Sequence, residues 1–380
     1  MVASFLNEEH RIFRDSVRKF VEREMLPFLE DWEQAGHTPR ELWRKAGEQG
    51  FLCMDVPENF GGLGLDDYRY SMIIAEEMTR TSGAASGFLV HTDMVAPYII
   101  RHGTENQKQR YLPRMVTGEC IGAVAMTEPG TGSDLASIQT IAAPKADHYL
   151  LNGQKTFITN GAQCDMVIVA AKTAPDQRHE GVSLFLVDRG MDGFETGRIL
   201  PKMGLHAQDT AELFFRDVRV PRENLIGREG EGFLYLMQGL PRERLTIAVS
   251  AVASAAYILD LTMEYCRQRT AFGRPIGSFQ HNRFTLATIK TEVEIGRAFI
   301  EHCVALYNAG ELSAEKAAMA KWWTTEMQVR TVDACVQLHG GYGYMMEYPV
   351  ARAYVDSRAQ TIYGGTTEIM KEIIGRSMGF

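Results

Sequence analysis

The sequence lacks the signatures of common metal-binding, phosphate-loop and serine-hydrolase proteins. Its six cysteines lie at least 32 residues apart, so it contains no C-x-x-C pair and no zinc-knuckle spacing. A Walker A loop, an H-E-x-x-H motif, a G-x-S-x-G elbow and a clean G-x-G-x-x-G fingerprint are also missing. We therefore expect no metal site, and we expect the cysteines to be buried thiols in a reducing compartment.

An excess of positive charge and a long apolar run are missing as well. Lysine and arginine total 40 against 48 aspartates and glutamates, and the net charge of −8 argues against a protein that neutralises nucleic-acid phosphates. The longest apolar helical stretch, Ile247 to Leu259, is too short to span a bilayer. No targeting segment is visible at the start. We expect a cytoplasmic protein without membrane insertion that acts on small molecules.

Three regions of the chain differ in sequence pattern and together predict an α+β multidomain fold. Residues 1–120 show helical apolar spacing that begins after a candidate N-cap, Asn7. Residues 121–226 carry short apolar runs separated by turn residues, which predicts a central antiparallel β-barrel or sandwich domain. Residues 227–380 return to long helical patterns, which predicts an α domain resembling a four-helix bundle. The crevices between such domains commonly bind cofactors.

Four clusters of glycine and polar residues are candidates for a ligand site, and each also has a purely structural explanation. Ala125 to Asp134 and Thr156 to Gly161 follow apolar strands and could be simple turns. The arginines in Arg267 to Gln280 could clamp a pyrophosphate, yet arginines also favour helix C-termini. Gln337 to Gly343 breaks a long helix with three glycines, whereas one is enough to end a helix. Each cluster alone is ambiguous, but their order and spacing are specific.

Taken in order with Tyr363 to Ile369, these clusters resemble the acyl-CoA dehydrogenase family over nearly the whole chain. Ala125 to Ser137 fits the first signature of the family, and Gln337 to Asp356 fits the second. The resemblance implies a flavin enzyme with an α, β, α domain plan, usually a homotetramer in which two subunits hold each FAD. It also implies an acyl-CoA substrate and an electron-transfer flavoprotein as electron acceptor.

The resemblance further implies roles for individual residues. The central domain would contact the flavin, and in part the CoA thioester, through Met126, Thr127, Gly132, Ser133, Phe157, Ile158 and Thr159. The C-terminal domain would hold the FAD diphosphate and adenosine across the subunit interface through Arg269, Phe272, Gln280, Gln337, Leu338, Gly340 and Gly341. The start of the last helix would contact FAD through Thr366, Thr367 and Glu368. Glu368 could otherwise be only a solvated helix residue.

The catalytic base is predicted from one position that departs from the common family pattern and from one segment that matches a subset of the family. Many family members carry a glutamate base just before the glycine of a terminal Tyr-x-Gly-Thr motif, where this sequence has Gly364. The long-chain and isovaleryl-type subset instead places the base on the first helix of the C-terminal bundle, in a segment ending Glu-Arg-Leu. Here residues 241–245 read Pro-Arg-Glu-Arg-Leu, which predicts Glu243 as the base, with Gly364 making room for it. A glutamate just after a proline could also merely favour a helix N-terminus.

The predicted substrate site also includes Arg244, Gly364 and Gly365. Arg244 matches an arginine near the base, and the family hydrogen-bonds the thioester carbonyl to the amide at the position of Gly364. The small residues from Gly83 to Gly87 match a region that lines the acyl pocket, and they favour medium to long or branched acyl chains. Close packing of helices would explain the small residues equally well.

The expected reaction is α,β-dehydrogenation of an acyl-CoA to the trans-2-enoyl-CoA, with electrons passed to an electron-transfer flavoprotein. Two alternatives stay open at this point. One is a flavin-dependent oxidase or monooxygenase relative that gives its electrons to oxygen. The other is a non-catalytic binding member of the family, against which the acidic net charge and the lack of a basic tail argue where the ligand would be nucleic acid.

Overall fold

The N-terminal region is helical in the computed structural model, which describes residues 5–81, 83 and 86–380 apart from the side chain of Ser86. The Asn7 side chain accepts a hydrogen bond from the His10 amide at 3.0 Å, which confirms the predicted N-cap. Two helical runs continue through π-type turns at Val21–Met25 and Val90–Val95. The α-helices are α1 (Glu8–Phe20), α2 (Leu29–Ala35), α3 (Arg40–Glu48), α4 (Tyr68–Met78), α5 (Ser86–Leu89), α6 (Ala96–His102) and α7 (Glu105–Val116).

The central domain is a mixed, mainly antiparallel sheet. Among the described residues it has the strand order β6-β7-β3-β2-β4-β5-β8, with β1 paired to β4. Its inward faces bury a core of aliphatic and aromatic side chains that includes Leu151, Phe185 and Phe215. The strands are β1 (Gly122–Ala125), β2 (Ile141–Pro144), β3 (His148–Thr159), β4 (Met166–Lys172), β5 (Val182–Asp188), β6 (Phe194–Ile199), β7 (Thr210–Pro221) and β8 (Leu225–Ile226).

Two details of the sheet differ from the sequence expectation. Strand β1 runs parallel to β4, and every residue of β4 is buried, which suits the parallel pairing that an all-antiparallel prediction misses. The two short strands expected near Leu150 and Ile158 are one long strand, β3. Its pairing with β7 is interrupted by register shifts at Leu151/Gly153 and Lys155/Ile158, and these irregularities make the apolar pattern look discontinuous.

The C-terminal domain is a helical bundle, and the three-part architecture is confirmed. Within the described residues, α8 is long and apolar enough to cross a membrane by length and composition, which the sequence reasoning did not recognise. Since 67% of its most apolar window is buried inside the protein, the core of the bundle accounts for that composition. The elements are α8 (Gly232–Gln268), β9 (Thr270–Ala271), β10 (Arg274–Pro275), α9 (Gln280–Asn308), α10 (Ala314–His339), α11 (Pro349–Gln360) and α12 (Thr367–Ser377).

Helix α11 ties the three domains together through two residues of the second signature. Arg352 Nε lies 3.4 Å from Glu33 Oε2 on α2 of the N-terminal domain. Asp356 accepts a hydrogen bond at 2.6 Å from the amide of Leu205 in the central domain. Burial raises the pKa of Asp356 to about 7. These contacts fix the position of α11 against both the N-terminal and the central domain.

Candidate active site

Glu243 lies inside α8 and faces the protein interior. The helix begins at Gly232 and also contains Pro241, so Glu243 does not sit in a first helical turn and the N-terminal explanation fails. Its side chain is nearly inaccessible, and the Tyr98 hydroxyl donates a hydrogen bond to its Oε1 atom at 2.8 Å. Burial raises the pKa of Glu243, while the Tyr98 hydrogen bond and the Arg244 charge oppose that rise. A buried carboxylate of this kind is suited to accept a proton from a substrate.

Two cations hold the glycine turn that precedes α12. Arg244 Nε donates a hydrogen bond to the Gly364 carbonyl at 3.2 Å, and Lys321 Nζ on α10 donates to the Gly365 carbonyl at 2.7 Å. The turn leads into Thr366, whose side chain accepts from the Ile369 amide and caps α12. Lys321 is buried, and burial lowers its pKa to about 7. This lysine could not be predicted from the sequence, because a single basic residue inside a helix has no local motif.

The space beside Gly364 is occupied by an aliphatic side chain rather than by the base. Gly364 has φ +67°, a left-handed conformation, and a Cβ atom there would overlap Ile247 Cδ1. Ile247 lies one helical turn after Glu243 on α8 and is buried. The turn therefore packs closely against α8 through Ile247, and the expectation that Gly364 makes room for Glu243 stays a prediction.

Gly364→Ala should destabilise the protein by about 1–3 kcal/mol, because the new methyl group adds an overlap to an unfavourable φ. The thermal unfolding midpoint would report the loss. Adding Ile247→Val removes the overlapping Cδ1 atom and should recover part of it. Gly190→Ala is a matched control, since a Cβ there meets nothing within 4 Å. An unchanged midpoint for Gly364→Ala would contradict the close packing of the glycine turn against Ile247.

A buried ion pair anchors the loop that follows β1. Lys155 Nζ donates to Glu128 Oε1 at 2.8 Å and to the Met126 carbonyl at 3.0 Å. The Thr127 carbonyl accepts from the Thr156 amide at 3.0 Å, so the carbonyls of both loop residues are held by β3. Burial lowers the pKa of Lys155 to about 8, and the Glu128 carboxylate opposes that shift. This anchor defines the backbone of the predicted flavin loop.

The other predicted residues of the central domain lie at the same end of β1 and β3. Phe157 has φ +60° at a bulge and its ring is 68% exposed, whereas the Ile158 side chain is buried in the sheet core. Only the backbone of Ile158 is therefore available to a ligand. Thr159 Oγ1 accepts a hydrogen bond at 2.8 Å from Gln208 Nε2, a residue that the sequence reasoning missed. Gly132 and Ser133 are exposed in the loop.

The predicted residues of the C-terminal domain form a second, separate group at the end of the bundle. Phe272 is 96% exposed at the tip of the β9–β10 hairpin. The Arg269 guanidinium lies 5.6 Å from the centre of the Tyr342 ring, and this contact links the hairpin to the glycine break after α10. The remaining members are exposed or half-buried in the single chain: Gln280, Gln337, Leu338, Gly340 and Gly341.

Other expectations concern the substrate pocket, metals and thiols. Of the predicted pocket segment, Ala84 and Ala85 lie outside the described residues. In the part of the chain that the structure describes, no group of three or more His, Cys, Asp or Glu residues could hold a metal ion. All six cysteines are free and buried, as predicted. At the start of α12, Thr367 is buried, whereas Glu368 is exposed and has its pKa lowered by hydrogen bonds from its own amide and from Thr366.

The three-domain fold is that of a known class of oxidoreductase. Family models of acyl-CoA dehydrogenases match the chain almost throughout: the N-terminal domain at residues 7–119, the middle domain at 123–218 and the C-terminal domain at 230–379. The chain therefore belongs to the acyl-CoA dehydrogenase family, as its motifs predict.

Individual relatives are similar over the full chain. The rat mitochondrial long-chain specific acyl-CoA dehydrogenase is 48% identical over 379 residues, which is 99% of this chain and 88% of that protein. The crystal structure of an acyl-CoA dehydrogenase from Geobacillus kaustophilus superposes with a TM-score of 0.98 at 50% identity and covers 100% of both chains. An acyl-CoA dehydrogenase from Bacillus anthracis, complexed with FAD, has a TM-score of 0.93 at 34% identity and covers 98% of this chain and 67% of that one.

Proposed function

We propose that this protein is an FAD-dependent acyl-CoA dehydrogenase in which Glu243 is the catalytic base. Glu243 takes the α-proton of the acyl thioester, the β-hydrogen leaves as a hydride, and the product is the trans-2-enoyl-CoA. The single observation that carries the proposal is the buried Glu243 carboxylate with its raised pKa, one residue before the arginine that contacts Gly364. No carboxylate stands at position 364 to take its place.

The residues present suit FAD, which when bound supplies the acceptor for the hydride. The exposed ring of Phe157 could cover an isoalloxazine face beside the loop of Met126 and Thr127. The N-terminus of α12 at Thr366 offers amides to a phosphate. In the second group, Gly340 and Gly341 leave open space in which a Cβ would meet nothing.

The glycine turn is proposed to polarise the thioester carbonyl. Arg244 and Lys321 hold the carbonyl oxygens of Gly364 and Gly365, so the glycine turn that directly follows the Gly364 amide is restrained before substrate binds. The Gly364 amide can then donate to the thioester oxygen and make the α-proton more acidic. Preorganised donors of this kind need no rearrangement during the reaction.

We further propose that two copies of the chain share each FAD within a homotetramer. The support is that the second group of residues is exposed in the single chain, including the 96% exposed Phe272. A large exposed ring at a hairpin tip is typical of a surface that another molecule covers. Analytical ultracentrifugation with and without FAD would test the assembly, and a stable FAD-loaded monomer would contradict it.

Lys155→Met should weaken FAD binding in the apoprotein, because it removes the donor to the Met126 carbonyl and leaves the buried Glu128 without its cation. We expect the dissociation constant for FAD to rise by about tenfold or more, as loss of a charge-assisted hydrogen bond implies. Lys172→Met is the control, since Lys172 is also buried but donates to the carbonyls of Pro175 and Gln177. Unchanged FAD affinity in Lys155→Met would contradict the anchoring role.

The proposed reaction is tested by anaerobic titration of the FAD-loaded protein with acyl-CoAs of different chain length and branching. Bleaching of the flavin absorbance should accompany formation of the enoyl-CoA, with medium to long or branched chains preferred. Reoxidation by an electron-transfer flavoprotein should be much faster than reoxidation by oxygen. Rapid aerobic reoxidation with peroxide release would instead identify an oxidase, and a colourless protein that resists FAD would identify a binding protein.

A further inference from the structure

Tyr98 on α6 and Glu243 on α8 form a contact that neither helix predicts on its own. The two residues are 145 positions apart in sequence, and the Tyr98 hydroxyl lies 2.8 Å from Glu243 Oε1. Tyr98 is 3% exposed, so its hydroxyl is shielded from bulk water. A hydrogen bond to a carboxylate in such surroundings is stronger than one at the surface, and it restricts the orientation of the acceptor.

Gly239 provides the space for this contact. It lies one turn before Glu243 on α8, and a Cβ atom built there would be 2.6 Å from the Tyr98 hydroxyl oxygen and 3.3 Å from Glu243 Oε1. A glycine inside a helix costs about 1 kcal/mol relative to alanine. Its presence here is explained by the approach of the tyrosine hydroxyl to the helix. A small cavity adjoins the three residues.

We propose that Tyr98 is a positioning residue for the catalytic base, whose hydroxyl orients the Glu243 carboxylate and stabilises its ionised form, with Gly239 as the position that admits it. This inference rests on the proposed role of Glu243. It assigns to α6 a part in proton abstraction, in addition to its structural role between the N-terminal domain and the bundle.

The other charged groups around Glu243 do not replace this hydrogen bond. Arg242 is already paired with two carboxylates, Asp93 at 2.9 Å and Asp55 at 2.5 Å. His102 stacks on Tyr235 with ring centres 4.0 Å apart, and burial lowers its pKa. The charge of Arg244 lowers the pKa of Glu243 less than Tyr98 does. Arg101 lines the same cavity. Tyr98→Phe therefore changes the hydrogen bonding of Glu243 without altering any neighbouring charge.

The test is the pH dependence of anaerobic flavin reduction by an acyl-CoA in the FAD-loaded enzyme. In Tyr98→Phe the ionised carboxylate loses a donor, so its pKa rises. We expect the acid limb of the rate profile to move to higher pH by about one unit, with a smaller change in the plateau at high pH. Infrared difference spectra should show the protonated carboxyl band of Glu243 persisting to correspondingly higher pH. That band is assigned by its absence in Glu243→Gln.

Two further variants keep the test decisive. Gly239→Ala should displace the Tyr98 hydroxyl and shift the acid limb in the same direction. It therefore tests the same hydrogen bond if Tyr98→Phe does not fold. Tyr111→Phe removes another tyrosine–carboxylate hydrogen bond, the part-buried one from Tyr111 to Asp188 at 3.0 Å, and should leave the limb unshifted. An unshifted limb in Tyr98→Phe or Gly239→Ala, with Glu243→Gln inactive, would overturn the inference and leave the proposed base intact. Full activity of Glu243→Gln would instead overturn the base itself, and the inference with it.

Discussion

Glu243→Gln is expected to keep bound FAD while losing acyl-CoA-dependent flavin reduction by about 10²- to 10⁴-fold or more, the usual contribution of a positioned general base. The glutamine side chain has nearly the same shape and can still accept the Tyr98 hydrogen bond through its amide oxygen. It cannot take up a proton at neutral pH. The loss should therefore appear in the rate of the chemical step and not in the amount of FAD bound or in stability.

A half-buried glutamate elsewhere provides the control for this experiment. Glu76 on α4 pairs with Arg14, and burial raises its pKa as it does for Glu243. Glu76→Gln should leave the rate of flavin reduction close to that of the unmodified enzyme. Stopped-flow bleaching under anaerobic conditions measures both variants. If Glu243→Gln bleaches at nearly the original rate, another group removes the α-proton.

The raised pKa of Glu243 gives this prediction a pH dependence with a definite sign. The base must be ionised to accept a proton, so flavin reduction should fall as the pH is lowered through the pKa of Glu243. Because burial raises that pKa above its ordinary value of 4.5, the decline should begin at higher pH than for an exposed glutamate. In Glu243→Gln the residual rate should lose this acid limb.

Elements with strong local periodicity could be predicted from the sequence. The apolar spacing predicts α8 over 233–270, and the structure has Gly232–Gln268. The polar stretch inside β3 interrupts the alternation of apolar and polar residues that marks a strand. The sequence therefore predicts two short strands where the structure has one. Its continuity depends on pairing with β7, some sixty residues further along the chain. Local patterns carry no information about such a partner.

The same distinction applies to the candidate site. Glu243 and Gly364 belong to short motifs and are found by reading the sequence. Tyr98 and Lys321 each contribute one hydrogen bond, which depends on how α6 and α10 pack in the folded protein. Neither residue belongs to a sequence motif that would predict this contact. The contact of the Gly364 turn with Ile247 is likewise seen only in the structure. Residues that support a site from other helices are the ones that only the tertiary structure reveals.

Arg242→Met is expected to cause the largest loss of stability, about 3–5 kcal/mol, because it removes the cation from a buried charge network. Arg242 donates to Asp93 Oδ1 at 2.9 Å and to Asp55 Oδ2 at 2.5 Å. Asp93 is 1% exposed, so without Arg242 its carboxylate has no compensating charge. Calorimetric or urea-induced unfolding would measure the loss. Since Arg242 precedes Glu243 on α8, the variant should also reduce the rate of flavin reduction.

A control variant and a compensating variant test whether an unpaired buried charge causes the stability loss of Arg242→Met. Arg178→Met removes an exposed partner of Asp134 at 3.5 Å and should cost less than about 1 kcal/mol. Arg242→Met combined with Asp93→Asn should recover part of the stability, because the most deeply buried carboxylate is then neutral and only the more exposed Asp55 stays without its cation.

The pH dependence of the Arg242→Met deficit separates loss of charge compensation from loss of packing. Burial already raises the pKa of Asp93, and removing Arg242 raises it further. A carboxyl with a raised pKa in the folded state costs stability only when it must ionise, so its penalty is absent below the ordinary pKa of 3.8 and grows as the pH rises toward the folded-state pKa. The deficit should therefore shrink as the pH is lowered. A deficit that is the same at all pH values would mean that the arginine contributes through packing alone.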